Sequence, residues 1–113
     1  MAYKDVIKPI PMTFFNSALL TGSYQPINPN GLPYACLAIA IKNYSDFIID
    51  ISFDGLQSHE ILGIHEELSY GFQKNSRPSN YVAMLSKGTR VYVMDGGAGF
   101  KGGYIYLTGW YLQ

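Results

Sequence analysis

The sequence predicts an all-β fold: an antiparallel β-sandwich, with a jelly roll or a partly closed barrel as variants, preceded by an extended N-terminal arm. Three observations lead there. Short runs that alternate bulky with small or polar residues recur from Tyr34 to Leu112, the period-two pattern of a strand with one buried face. Clusters of Asn, Asp, Ser and Gly punctuate those runs as turn signals. Five of the six prolines fall within residues 1–33, where missing donors and a fixed φ disfavour a long helix or a central strand.

Residues 1–33 form the arm and residues 34–113 the β domain. The arm also holds Val6, Ile7, Ile10, Met12, Phe14, Phe15, Leu19 and Leu20, too many apolar groups for a disordered tail. It is therefore expected to lie on a surface, either that of its own domain or that of a neighbour. Leu37–Ile41 reads as the first strand, and Asn43-Tyr44-Ser45-Asp46 as a turn. Phe47–Phe53 reads as a second strand closed by Asp54-Gly55, so the pair forms a hairpin. His59–Phe72 reads as strand, loop, strand, since Gly63 and Gly71 limit any helix. Lys74–Asn80 reads as a polar loop, and Tyr81–Leu85 as a short strand. Arg90–Met94 reads as another, with Val91 and Val93 on one face. Asp95–Gly103 reads as a glycine-rich loop with Phe100 at its tip. Tyr104–Leu112 closes the chain as a strand, with Ile105 and Leu107 opposite Tyr104, Tyr106 and Thr108.

A chain of 113 residues accommodates one domain with one modest core. Charged residues make up 14% of it, well below the roughly 25% of an average domain, so Ser, Asn, Gln, Tyr and Gly must cover much of the surface. Such an exterior suits a chain packed against neighbours. Eight basic residues balance eight acidic ones. The basic residues are scattered, without the clustered stripe that phosphate neutralisation requires, and no sequence-specific nucleic-acid binding is expected. No apolar run is long enough to cross a membrane as a helix. The first residues lack the pattern of a secretory signal, so the Asn43-Tyr44-Ser45 glycosylation pattern is read as coincidence.

Motifs for catalysis and cofactors are weak. The single cysteine, Cys36, sits in the apolar run Ala35–Ile39 and reads as a core residue, because no basic neighbour is present to stabilise a thiolate. His59-Glu60 and His65-Glu66-Glu67 bring two histidines near carboxylates, but a spacing of six with Gly63 between misses the His-Glu-x-x-His arrangement. The glycine segment before Tyr104 lacks the Gly-Lys-Ser/Thr ending and the following helix of a phosphate loop. No nucleophile sits in a recognisable elbow. No catalytic residue, cofactor or metal is assigned, and the chain is expected not to be an enzyme.

Ten tyrosines are the stronger signal. Tyrosine buries a ring while keeping its hydroxyl wet, which suits interfaces. Phe14, Phe15, Phe100, Tyr104, Tyr106 and Trp110 are the candidate protein-interface residues. The same rings could form a carbohydrate platform, which is the alternative reading.

Two stretches carry a resemblance. The first is Ile41-Lys42-Asn43-Tyr44-Ser45-Asp46, Ile49–Gly55 and His59-Glu60-Ile61-Leu62. The second is Lys87-Gly88-Thr89-Arg90-Val91-Tyr92-Val93 and Gly102–Tyr106. In this order they resemble small β-sandwich structural proteins of tailed-bacteriophage virions. The likeness covers residues 38–110 and omits the arm; His65-Glu66-Glu67 stands where a glycine-rich bend belongs. It implies a non-enzymatic virion structural protein, assembled in the bacterial host cytoplasm. Its place would be the head–tail junction, as a connector or adaptor ring, with capsid decoration as the neighbouring option. The implied partners are portal, adaptor, tail or capsid subunits, together with further copies of the same chain.

Overall fold

A computed structural model describes residues 7–71 and 85–112, with 97–101 and 112 described by backbone alone. The chain is all-β, as its alternation predicts. The strands in order are β1 (Ile7–Pro9), β2 (Thr13–Asn16), β3 (Gln25–Pro26), β4 (Cys36–Ser52), β5 (Glu60–Leu62), β6 (Glu67–Gly71) and β7 (Tyr92–Leu112). A 3-10 turn, Ser17–Leu19, follows β2, with the Asn16 side chain accepting from the Ala18 N–H at its start. All seven strands belong to one antiparallel sheet that does not close into a barrel.

The sheet is built around two long strands. β4 and β7 pair from Cys36–Tyr111 at one end to Ser52–Tyr92 at the other. The arm runs antiparallel along the free edge of β7. Ile7 pairs with Leu112, Phe14 with Tyr106 and Gln25 with Val93. Of the two surfaces open to the arm, residues 7–33 thus occupy that of their own chain. Ile10, Leu20, Ile27 and Leu32 are buried in the common core. Asn28 extends the pairing by side chain: its Oδ1 accepts from Val91 N at 2.8 Å and its Nδ2 donates to the Thr89 carbonyl at 3.1 Å. On the far side, β5 and β6 follow each other along the free edge of β4.

One face is buried and the other open. Ile39, Ile41, Ile49 and Ile51 of β4 join Val93, Ile105 and Leu107 of β7 in a single apolar cluster. The described strands form one sheet, which encloses that face by curling into a sandwich-like arrangement. A straight strand of the length of β7 would run roughly 70 Å, beyond the 52 Å longest dimension of the molecule.

The curl occurs where β4 and β7 lose register. Residues 95–103 of β7 advance eight positions while residues 45–49 of β4 advance four, so β7 carries four extra residues there. Bulges of this kind bend a strand and sharpen its twist. The expected glycine-rich loop is therefore a bulged stretch inside β7. Its glycines are needed for close approach: a Cβ on Gly96 would stand 2.6 Å from the Ile48 carbonyl oxygen. Gly103 has φ of +87°, and its Cβ would overlap the Tyr44 carbonyl oxygen.

The expected hairpin turn at residues 43–46 is likewise replaced by continuous strand. Asn43 and Ser45 do satisfy local backbone groups, as turn residues do, but from inside the sheet, and both are fully buried. Asn43 Nδ2 donates to the carbonyls of Phe47 at 2.7 Å and Gly63 at 2.9 Å. Its Oδ1 accepts from Ser45 N at 3.1 Å and from the Ser45 hydroxyl. The Asn43 backbone N–H donates to the Glu66 carbonyl at 2.9 Å. The polar pair therefore supports a bend in one strand instead of separating two. Strand, loop, strand over residues 59–72 is realised as β5 and β6. Of the expected strand Tyr81–Leu85, only Leu85 is described, bridged to Cys36; the rest lies outside the described residues, as does the loop Lys74–Asn80.

Two predictions follow from the bend. Asn43→Ala leaves several buried carbonyls and N–H groups unpaired, each costing about 1–3 kcal/mol; denaturant titration should show a loss of about 3 kcal/mol or more. Gly103→Ala should cost about 1–3 kcal/mol, whereas Gly22→Ala, with nothing within 4 Å of the added Cβ, should be near neutral in the same assay.

Candidate functional site: the aromatic outer face

The open face of the sheet follows from the same alternation. Even-numbered residues of β4 from Ala38 to Tyr44 and of β7 from Tyr104 to Trp110 point away from the core. On β7 they are Tyr104, Tyr106, Thr108 and Trp110; on β4 their register partners are Tyr44, Lys42, Ala40 and Ala38. Phe14 of β2 extends the Tyr106 row on one side, and Glu67 of β6 extends it past Lys42 on the other.

The rings at one end touch. Phe14 meets Tyr104 edge-on at 5.7 Å between centroids, and Tyr44 meets Tyr106 edge-on at 5.7 Å. Tyr104 and Tyr106 lie 6.3 Å apart. The Tyr44 hydroxyl donates to Glu67 Oε1 at 2.6 Å, and that bond to a carboxylate raises the tyrosine's pKa. Two shallow depressions flank Tyr106. One, of about 290 Å³, is lined by Met12, Phe14, Tyr104 and Tyr106. The other, of about 280 Å³, is lined by Met12, Lys42, Tyr44 and Tyr106. Phe14 remains 60% exposed and Trp110 46%, large values for apolar groups on a rigid sheet.

Four of the six sequence-derived interface residues therefore share this face: Phe14, Tyr104, Tyr106 and Trp110. Phe15 points the other way, opposite Ile105, and packs half-buried against the core. Phe100 lies within the β7 span, but its side chain is outside those described. Sequence reading missed Met12, Lys42 and Tyr44. Tyr44 was hidden by its place in an apparent turn, although the even-numbered series Ala38, Ala40, Lys42, Tyr44 runs on unbroken.

The other chemical motifs separate in space. His59 Nδ1 accepts from the Phe53 N–H at 2.9 Å, and its Nε2 lies 3.9 Å from Asp54. His65, in a left-handed conformation with φ of 59°, contacts Asp46 at 3.0 Å instead. Among the described residues no group of three or more His, Cys, Asp or Glu side chains could hold a metal. Cys36 is buried, and burial raises its thiol pKa, the opposite of nucleophile activation. Burial and full hydrogen bonding of Asn43 also close the Asn43-Tyr44-Ser45 glycosylation pattern in the folded chain. Among the described residues no helix is long and apolar enough to cross a membrane.

The chain matches no protein-family model, no curated protein and no solved structure.

Two side chains give the domain a readable pH signature. Asp54 Oδ1 accepts from the N–H groups of Gln57 at 3.0 Å and Leu56 at 2.8 Å and from the Ser52 hydroxyl at 2.9 Å. These bonds hold its pKa at about 2, below the ordinary 3.8. A depressed carboxyl stabilises the fold above its ordinary value and loses that contribution as pH falls toward the folded value. Carboxyl NMR titration should find Asp54 still ionised at pH 3, with the loop between β4 and β5 loosening below that. Tyr70, half-buried and donating to Glu60 Oε1 at 3.1 Å, is raised by burial first and that bond second, to about 12. Folding stability should therefore fall as pH rises from 10 toward 12, and Tyr70→Phe should remove a late-titrating ring from the tyrosinate absorbance.

Proposed function

We propose that this chain is a non-enzymatic structural protein that works by binding other protein subunits through the outer face of its sheet. The observation that carries this reading is the contiguous surface of exposed Phe14, Tyr44 and Tyr104 around half-buried Tyr106 on paired strands, with exposed Met12 beside them. Aromatic and Met side chains are the groups enriched at interface centres, and a rigid sheet presents them with little ordering cost. The setting is a tailed-bacteriophage virion, as a connector or adaptor subunit at the head–tail junction or as a capsid decoration protein. That setting rests on the order of motifs along residues 38–110.

A second reading, a carbohydrate-binding module, is favoured by exposed Trp110 beside Ala38, with Gly71 next in the row, an indole standing over small neighbours. It predicts saccharide affinity that Trp110→Ala abolishes.

The test of the structural reading is composition of particles. Gradient-purified virions from a culture expressing the chain from its own locus should contain it, and a Phe14→Ser/Tyr106→Ser chain should drop out of them while unfolding within about 1 kcal/mol of wild type. Particles that never contain the wild-type chain would overturn the virion setting.

A further inference from the structure

We propose that the outer face is self-complementary and pairs two copies of this chain about a two-fold axis lying over the β4–β7 seam. This rests on the reading of that face as a protein-binding surface and names its occupant.

An isologous contact requires that one surface fit itself. An axis parallel to the seam carries each β7 residue over the β4 residue of the second copy at the same level. The register of the sheet therefore dictates the contacts. Tyr104 comes over Tyr44, Tyr106 over Lys42, Thr108 over Ala40 and Trp110 over Ala38 of the second copy. At one end the β7 row is tall where the β4 row is low; at the other, Tyr104 and Tyr106 meet Tyr44 and Lys42, long side chains on both rows that interleave. Two alanines leave a trough along β4, and Trp110 and Thr108 form the ridge that fills it. The inverse contact occurs at the same time on the other side of the axis. Two sheets packed in this way lie about 10 Å apart, a gap that such side chains fill.

Charge and area agree. Lys42, the cation in these two rows, comes over the ring of Tyr106, a favourable cation–π placement. Glu67 lies one strand out, at the rim. A chain of formal net charge +0 has no long-range repulsion from its own copy. Met12, Phe14, Tyr44, Tyr104 and Trp110 are each 41% to 60% exposed. At about 150–250 Å² per aromatic side chain they offer on the order of 500 Å². Half-buried Lys42, Tyr106 and Thr108 carry that toward the roughly 800 Å² per partner of a standard interface.

Light scattering across a concentration series should give twice the 12.6 kDa chain mass. Ala40→Glu places a charge in the trough without touching the core and should return the protein to monomer, with an unfolding midpoint that no longer depends on concentration and matches that of wild type diluted to monomer. Cysteine pairs keep the test independent of that variant's folding. A mixture of Pro9→Cys and Gly71→Cys chains, at the two outer ends of the Trp110–Ala38 row, should be joined by a short bismaleimide into a mixed dimer, and neither chain alone should cross-link. Cys36 is fully buried and does not compete. A wild-type monomer at every concentration, a dimer indifferent to Ala40→Glu, or equal cross-linking of each chain alone would overturn the pairing. A monomer that still enters virions removes only the two-fold contact; a dimer absent from virions removes only the virion setting.

Discussion

The structure depends on how a single sheet hides one of its own faces. Two long strands carry nearly all the pairing, and among the described residues their apolar side is enclosed by the sheet itself and the arm. The sheet must therefore bend, and a bend in a paired strand breaks the ladder on both of its edges. Asn43 occupies that break. Its side chain replaces ladder bonds across two chain segments: β4 itself, at Ser45 and Phe47, and the connection after β5, at Gly63. An unpaired buried carbonyl is costly, so one amide that satisfies several is worth more than its size suggests. The extra residues on β7 take up the longer outer path around the same bend, and glycine lets β7 pass close to β4 there.

Much of this was legible, and the gaps have a common cause. Alternation over Leu37–Ile41, Phe47–Phe53 and Tyr104–Leu112 gave the strands, their inward faces and the all-β class, because period two is a direct consequence of the pleat. What failed was the interpretation of polar and glycine residues between strands. Asn43-Tyr44-Ser45-Asp46 has the composition of a turn because Asn and Ser bond to nearby backbone. Those same bonds serve a buried bend equally well, and sequence alone does not distinguish the two. Asp95–Gly103 failed likewise: glycine marks a flexible loop and a close backbone approach with one letter. In the arm, the apolar residues need a surface to lie on, and Ile10, Leu20, Ile27 and Leu32 complete the core, but nothing local specifies which surface.

The outer face was partly legible for the opposite reason. Tyr104, Tyr106 and Trp110 stand at even positions beside inward Ile105 and Leu107, so their exposure follows from parity. Phe14 required the pairing of β2 with β7, a contact between residues some ninety positions apart. Lys42 and Tyr44 required that β4 not turn. A face assembled from three strands is invisible to a window moving along one, although each contribution is simple once the register is known.

Among the described residues both edges of the sheet are blunted, and the outer face is not. An open edge offers unpaired N–H and C=O groups to any passing strand. Here the edge of β7 is covered by the arm, whose strands contain Pro9 and Pro26, residues with no N–H to offer. The edge of β4 is covered by β5 and β6, short and interrupted by the connection at residues 63–66, with Glu60 and Glu67 heading the two strands. Short, interrupted and charged strands are poor templates for a further strand. Both edges are blunted by local sequence, while the outer face keeps its aromatic rings exposed on backbone that pairing holds rigid. Contact through side chains across the face, with register set by β4 and β7, is the mode of association this arrangement leaves open.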